Sequence, residues 1–469
     1  MTAVDAELNF ATAEHLAGLI RSKALSPAEL MDHTLARIAD LNPRIGAFVA
    51  LDEERARTEA AAQTERIAAG EDLGPLGGLP FGVKDLEDAD GFVTTKGSRA
   101  YRDNLVDRDS VQVERLRAAG AILLGKTNTP EFGHTGISFN ELFPATRNPW
   151  NLDRTSGGSS GGTSAAIASG MTAIGTASDG AGSVRIPACF VGAFGLKVSF
   201  GRIPIGPSSF TNWMDTSVYG PLTRTVRDGA LFLDQVVGYH PSDPDSLPDV
   251  DASYLDRLDE PLPKLRIGFN PNLGGLKVQS DVAREVAKAA AVFEELGHEV
   301  VECDDELPEM LLWWARIGRF QALASMWDVY TERRDEFGEA YLPGLDFALG
   351  TQPVDFGEFA RLRAELNNKL WELFEQYDLL LTPTMPIEAV DAEGPIPQEV
   401  EGERYTFAGF TVPFNFSGHP AATVRAGFTD GGLPAGLQIA GRRHRDDVVL
   451  QASYAYEQVR PWNDHWPEI

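Results

Sequence analysis

Cysteine is nearly absent from this chain of 469 residues, which carries only Cys189 and Cys303. Two such cysteines make no disulfide framework, and their spacing fits no metal site. Histidine is sparse too, eight in all, with no pair three or four residues apart and no His-Glu-x-x-His. No zinc centre is therefore expected, and nothing in the sequence implies a metal or another cofactor. No run reaches 18 apolar residues, which excludes a membrane-spanning helix. Positive charge is short: 41 Lys and Arg stand against 69 Asp and Glu, a formal net charge of −28. That balance argues against a nucleic-acid partner and against docking on anionic lipid. The start, Met-Thr-Ala-Val-Asp, lacks a basic segment followed by an apolar one. No signal peptide is read there, and the cytoplasm is the simplest location. Hydrophobic residues at 43% and charged residues at 23% are ordinary for a soluble globular protein.

Lysine numbers only nine, so Lys84, Lys126 and Lys197, each ending an apolar run, stand out. The plain reading is that such lysines cap strands and pair with carboxylates. A second reading arises from their neighbours. Ser159 lies in Gly157-Gly158-Ser159-Ser160-Gly161-Gly162, and Ser183 in Ser178-Asp179-Gly180-Ala181-Gly182-Ser183-Val184-Arg185. Serine is a poor nucleophile at neutral pH and needs a base, which a desolvated lysine can be. Glycine-rich backbone lets N–H groups converge on an anion. Nucleophile, base and oxyanion site are thus all on offer.

The first glycine tract fits other patterns as well. As a phosphate loop it fails, because Thr163 stands where lysine is required. As a nucleophile elbow, Gly158-Ser159-Ser160-Gly161-Gly162 fits Gly-x-Ser-x-Gly with Ser160 as nucleophile and His419 or His444 as its base. That motif needs a strand before the serine, and Asn151-Leu152-Asp153-Arg154-Thr155 does not read as one. A glycine-rich turn without chemistry is the remaining alternative.

Along the chain, residues 1–70 read as helical. Ser26-Pro27-Ala28-Glu29 is a capping box with proline at the first helical position. Leu30, Met31, Leu35, Ile38 and Leu41 follow at helical spacing until Asn42-Pro43. A second helix is expected over Asp52–Ala69. Strand and helix then alternate: Phe81–Lys84, Val111–Ala119, Ala121–Leu124, Leu265–Phe269, Val282–Leu296, Glu299–Cys303 and Tyr377–Leu381. Ala421–Ala426 and Ala435–Ala440 flank Thr429-Asp430-Gly431-Gly432 as a hairpin, and a helix from Asp446 to Val459 closes the chain. This is the texture of an α/β protein, a central mixed sheet covered by helices. The segments Pro241–Leu265 and Pro386–Arg404 read as surface excursions, so residues 1–469 are expected to form one domain.

The ordered set Lys84, Gly158–Gly162 and Gly182-Ser183-Val184-Arg185-Ile186-Pro187-Ala188 resembles the amidase signature family. Arg147–Trp150, Gly195–Lys197, Gly220–Asp228, Phe410–Asn415 and Gly432–Gln438 extend the likeness across roughly residues 10 to 460. The resemblance implies that fold, with the sheet covered on both faces by helices, and a specific site. Ser183 matches the nucleophile, Ser159 the bridging serine after a cis peptide bond, and Lys84 the buried base. The backbone N–H groups of Gly180, Ala181, Gly182 and Ser183 would hold the oxyanion. Asp179 and Arg185 would pair to brace the loop, with Ser178 on Lys84. Ala181 replaces the usual glycine, as in members similar to nylon-oligomer amidases; aryl acylamidases and urethanases are similar too.

The resemblance also implies that residues 200–385 are the variable, substrate-pocket region, with Phe210, Trp213 and Met214 expected to line the pocket from a loop that varies in the family. Trp313, Ile317, Phe320 and Trp327 share a helical face that reads as pocket wall or as core. The implied activity is hydrolysis of a small, aryl or oligomeric carboxamide, with carbamates and esters beside it, by a monomer or homodimer. A glutaminase subunit of a tRNA-dependent amidotransferase, and a binding protein without activity, are the alternatives.

Overall fold

The computed structural model of the protein describes residues 8–207 and 215–469. An eleven-stranded sheet forms its centre. In chain order its strands are β1 (Phe48–Leu51), β2 (Pro80–Lys84), β3 (Ile122–Thr127), β4 (Ile174–Asp179), β5 (Phe194–Lys197) and β6 (Val218–Thr223). They continue as β7 (Arg266–Phe269), β8 (Glu299–Glu302), β9 (Leu379–Pro383), β10 (Ala421–Phe428) and β11 (Pro434–Gly441). The order across the sheet is β1-β3-β2-β4-β6-β5-β10-β11-β9-β7-β8. Pairing is mixed: β3-β2-β4 and β9-β7-β8 are parallel, and the remaining neighbours are antiparallel.

Side-chain alternation explains why helices cover both faces. In β3, Ile122 and Leu124 enter one apolar cluster and Leu123 enters another on the opposite face. In β9, Leu379 and Leu381 face one way and Leu380 the other. A strand apolar on both faces is stable only between two layers. On one face Met31, Leu35, Ile38 and Leu41 of the helix Pro27–Ile45 join Ala165 and Ala166 of the helix Gly161–Ala168. On the other, Val282, Val286 and Phe293 of the helix Ser280–Glu295 meet Leu437 and Ile439 of β11.

Several sequence expectations hold closely. The capping box at Ser26 and Glu29 is present, and the 429–432 turn closes the β10–β11 hairpin. Three need correction. Within residues 1–70, read as helical, Phe48–Leu51 is an apolar run too short for a helix and forms β1, the edge strand antiparallel to β3. Pro43 does not end its helix, which runs on to Ile45 and is capped by Gly46 at φ +67°. Only two residues follow it in the helix, so the lost bond and the kink a proline brings disturb the final turn and not the body of the helix. Asn151–Thr155 is a strand after all, paired with Arg147–Asn148. It lies in a separate two-stranded ribbon, however, so the strand-to-helix elbow of the main sheet is not formed there. Of the two surface excursions, the later one carries a small hairpin at 399–404 and anchors Asp391 on Arg154 at 2.9 Å.

Among the described residues no helix is long and apolar enough to cross a membrane. What matters most for the site is that β2 and β4 are parallel neighbours. Their carboxyl ends therefore open on the same edge of the sheet, where ligands commonly bind in such sheets.

Candidate active site

Lys84 is the last residue of β2, and Ser178 and Asp179 are the last two of β4. The Lys84 backbone N–H donates to the Thr176 hydroxyl at 3.0 Å, which fixes the two strand ends relative to each other. Its side chain is fully buried. The amine donates to Ser159 Oγ at 2.8 Å and to Ser178 Oγ at 3.0 Å, with the Ser178 carbonyl at 3.3 Å. Hydroxyl and carbonyl groups, rather than an ion pair, surround it. Burial pushes the Lys84 pKa down to about 7, against the opposing pull of Asp179 and Glu87.

The three conspicuous lysines therefore have three different fates. Lys126, also buried, lies 3.8 Å from Asp85 and donates to Thr94 and to the Glu87 carbonyl. Lys197 donates to the Val198 carbonyl at 2.9 Å. The plain reading fits Lys126 alone.

Ser159 follows a cis Gly158–Ser159 peptide and is almost fully buried. The next N–H, of Ser160, donates to the Ser183 carbonyl at 3.3 Å, joining the two serine tracts through the backbone. Ser183 stands between buried residues but is itself partly exposed. It sits just before the short helix Arg185–Val191.

Asp179 shapes the turn that presents Ser183. Its carboxylate accepts from the N–H of Gly182 at 2.6 Å, Val184 at 3.2 Å and Arg185 at 3.4 Å. Gly182 has φ +128°, a region closed to most side chains. Of the four N–H groups expected to converge on an oxyanion, that of Gly182 is thus turned to Asp179. Those of Gly180, Ala181 and Ser183 remain.

Arg185 completes the brace with both side chains of the pair sealed from solvent. It reaches beyond Asp179 to the Thr411 carbonyl at 2.9 Å, Gln438 Oε1 at 2.7 Å and Asn415 Oδ1 at 2.6 Å. Asn415 in turn donates to Asp179, and the Thr411 hydroxyl donates to the Ala181 carbonyl at 2.7 Å. Burial alone would raise the Asp179 pKa, but Arg185 and Asn415 hold it below the usual carboxylate range. The sequence places residues 410–415 and 432–438 in extended boxes but gives Thr411, Asn415 and Gln438 no role. No local spacing connects residues more than 220 positions apart.

The histidine alternative does not assemble. Ser160 donates to the Ser178 carbonyl at 3.3 Å. His419 is buried, bonded to Ser417 and stacked on Phe374 with ring centres 5.0 Å apart. Burial pushes its pKa down to about 3. The backbone N–H of His444 donates to Ser199. Neither histidine is bonded to Ser160.

Of the expected pocket residues, Phe210, Trp213 and Met214 lie outside the described residues. The stripe Trp313–Ile317–Phe320–Trp327 is broken by a π-turn at Trp314–Gly318 and a new helix at Trp327. Trp314, which the stripe passes over, is buried in the same apolar cluster as Ala181. Trp313 packs partly against that cluster, Phe320 packs edge-on to Phe356, and Trp327 is 48% exposed.

Known proteins share this arrangement of elements along nearly the whole chain. The family model described as Amidase matches residues 29–450. The chain belongs to the amidase signature family. Among its relatives is an acylamidase of Rhodococcus erythropolis, 38% identical over 98% of each chain. Another is a glutamyl-tRNA(Gln) amidotransferase subunit from Geobacillus thermodenitrificans, 33% identical over 98% of this chain and 99% of that one. A bacterial aryl acylamidase structure superposes with a TM-score of 0.92 at 34% identity, covering 97% of each chain. The α/β fold with its mixed sheet is the fold of that family.

Proposed function

We propose that this amidase hydrolyses carboxamides, aryl amides among them, through an acyl-enzyme on Ser183. The observation that carries the reading is the buried Lys84 amine, shifted to about 7 and 2.8 Å from the Ser159 hydroxyl. Such an amine is neutral often enough near pH 7 to accept a proton. Ser183 Oγ attacks the carbonyl carbon as its proton passes to Ser159, whose own proton passes to Lys84. The N–H groups of Gly180, Ala181 and Ser183 face the developing oxyanion, a contribution of about 3–4 kcal/mol per donor in comparable sites. Lys84 then returns the proton through Ser159 to the departing nitrogen, and the C–N bond breaks. Water attacks the acyl-enzyme by the same route and releases the acid. Esters and carbamates (urethanes) follow the same path, esters readily because alcohols leave more easily than amines.

The test is turnover of an aryl amide by the purified chain, with Ser183→Ala inactive and a fluorophosphonate adding one mass increment at Ser183. Full turnover by Ser183→Ala would sink the reading. The amidotransferase relative favours a second one, glutaminase activity feeding a partner. Hydrolysis of glutamine but of no aryl amide would select it.

A further inference from the structure

Arg319 is a cation without a counter-ion. It begins the helix Arg319–Ser325, directly after the π-turn Trp314–Gly318. Among the described residues its guanidinium makes no ion pair or hydrogen bond, and its Nε is buried without a partner. Burial lowers its pKa, with Tyr341 the one charged or titratable neighbour that opposes this. The side chain is only partly buried and its guanidinium lies over the Trp314 ring, but a buried Nε with no acceptor is costly, so the group marks a place where an anion reaching its open edge would complete it.

Tyr341 adds a second unsatisfied donor. Its side chain is 1% exposed and its hydroxyl has no partner. Its ring is fixed by stacking on Phe132 at 5.1 Å and on Phe337 at 6.4 Å. Glu131, the carboxylate whose charge acts on Tyr341, does not serve either group. Its oxygens are taken by the Ser98 hydroxyl at 2.6 Å and the Gly338 N–H at 2.9 Å.

Two lines of neighbours lead from the pair toward the catalytic groups. His134, whose ring lies 5.0 Å from that of Tyr341, follows Gly133, where a Cβ would stand 3.1 Å from Ser159 Oγ. Trp314, 5.8 Å from the guanidinium, shares the apolar cluster of Ala181. Gly344 supplies the room: a Cβ there would meet the guanidinium at 2.4 Å.

We propose that Arg319 and Tyr341 form a subsite beside Ser159 and Ser183 that binds a carboxylate carried by the amide substrate. The proposal rests on the amidase reading and adds a substrate class to it. A carboxylate supplies what both groups lack, accepting two parallel N–H bonds from the planar fork of arginine and one O–H bond from the phenol.

The experiment pairs 4-nitroanilides of succinate, glutarate and adipate half-acids with alkanoyl anilides bearing methyl in place of the carboxylate. A second pair, 4-acetamidobenzoate and 4-acetamidotoluene, puts the carboxylate on the amine side. The wild-type protein is expected to favour at least one acid in kcat/KM by on the order of tenfold or more, mostly in KM. Arg319→Gln removes that preference, lowering the acid about tenfold more than its methyl analogue, and Tyr341→Phe removes part of it. Gly344→Ala, which crowds the guanidinium without touching its charge, reduces the same preference and serves where Arg319→Gln does not fold. Calorimetric binding of the half-acid anilides to Ser183→Ala reads the subsite without turnover. Binding there that Arg319→Gln abolishes supports the subsite even if no anilide is cleaved. Anilide cleavage with no acid preferred, or an equal loss for acid and methyl analogue in Arg319→Gln, overturns the subsite and leaves the amidase reading standing.

Discussion

Asp179 grips Arg185 twice, Oδ2 accepting from Nε at 2.9 Å and Oδ1 from Nη2 at 3.0 Å, with neither side chain reaching solvent. The pair lies at the centre of a network that includes three backbone N–H groups of the Ser183 turn and three distant acceptors on Thr411, Asn415 and Gln438. Removing one member of a fully buried pair strands the other charge, at a cost of about 3–5 kcal/mol. Arg185→Met is therefore expected to lose stability of that order in urea denaturation, and with it the turn that presents Ser183. Because the folded-state pKa of Asp179 is depressed, its stabilising contribution is complete above the unfolded-state value near 3.9. It is lost only as pH falls below that range. Wild-type stability should stay flat from neutral pH into mild acid as far as this pair is concerned. A loss of stability in Arg185→Met below about 1 kcal/mol would show that the network does not hold the turn.

Lys84 gives the second prediction. With its pKa lowered to about 7, the neutral amine is the minority form below that pH and the majority form above it. The kcat/KM for an aryl amide is accordingly expected to rise with pH, through an apparent pKa near 7, and to level off in mild alkali. At pH 6 about a tenth of the amine is neutral, so the rate should be about a tenth of the plateau. Lys84→Met, similar in length and without the amine, should lose activity by at least about a hundredfold at every pH. A flat profile between pH 5.5 and 8.5 would exclude this lysine as the base.

The sequence makes the site legible where its residues are close in the chain, and much less where they are not. Lys84, Ser159 and Ser183 sit in distinctive local runs, and the structure brings Lys84 to Ser159 because β2 and β4 are parallel neighbours. The Asp179–Arg185 pair is legible for the same reason, six residues apart on either side of one turn. Its burial is not, since that depends on Thr411, Asn415 and Gln438 arriving from more than 220 residues away. Helix periodicity locates most elements to within two residues but misjudges Pro43, because a proline in a last turn costs one bond rather than a helix. It also misjudges the aromatic stripe after residue 313. A π-turn shifts the helical phase there, burying Trp314 and leaving Trp327 in solvent.

The histidines supply a contrasting prediction. His419 is buried against Phe374 and bonded to Ser417, and His444 is exposed with its backbone on Ser199. His419→Ala should lower the melting temperature by opening a cavity, about 1–3 kcal/mol of stability, while kcat of the folded protein stays within about threefold. His444→Ala should leave kcat near wild type as well. Loss of kcat by a hundredfold in either, with the protein still folded by circular dichroism, would restore an imidazole-dependent mechanism.

Gly182 tests the geometry of the Ser183 turn most directly. Its φ of +128° excludes ordinary side chains, and a Cβ would stand 2.5 Å from Thr411 Oγ1 and 2.8 Å from Ile186 Cδ1. Thr411 Oγ1 is the group that holds the Ala181 carbonyl at 2.7 Å, so the added methyl pushes on the turn from behind. Gly182→Ala is expected to cost about 1–3 kcal/mol of stability through backbone strain. Activity should fall further, by about a hundredfold or more, because the displaced N–H groups no longer meet the oxyanion. Thr411→Ala gives the companion measurement, since it removes the hydroxyl without adding bulk. About 1 kcal/mol of stability and about tenfold in kcat is the loss expected from one missing bond behind the turn. If Gly182→Ala retained kcat within threefold of wild type, the turn conformation would not be what positions Ser183. The constraint would then have to lie in the Ser160–Ser183 backbone bond instead.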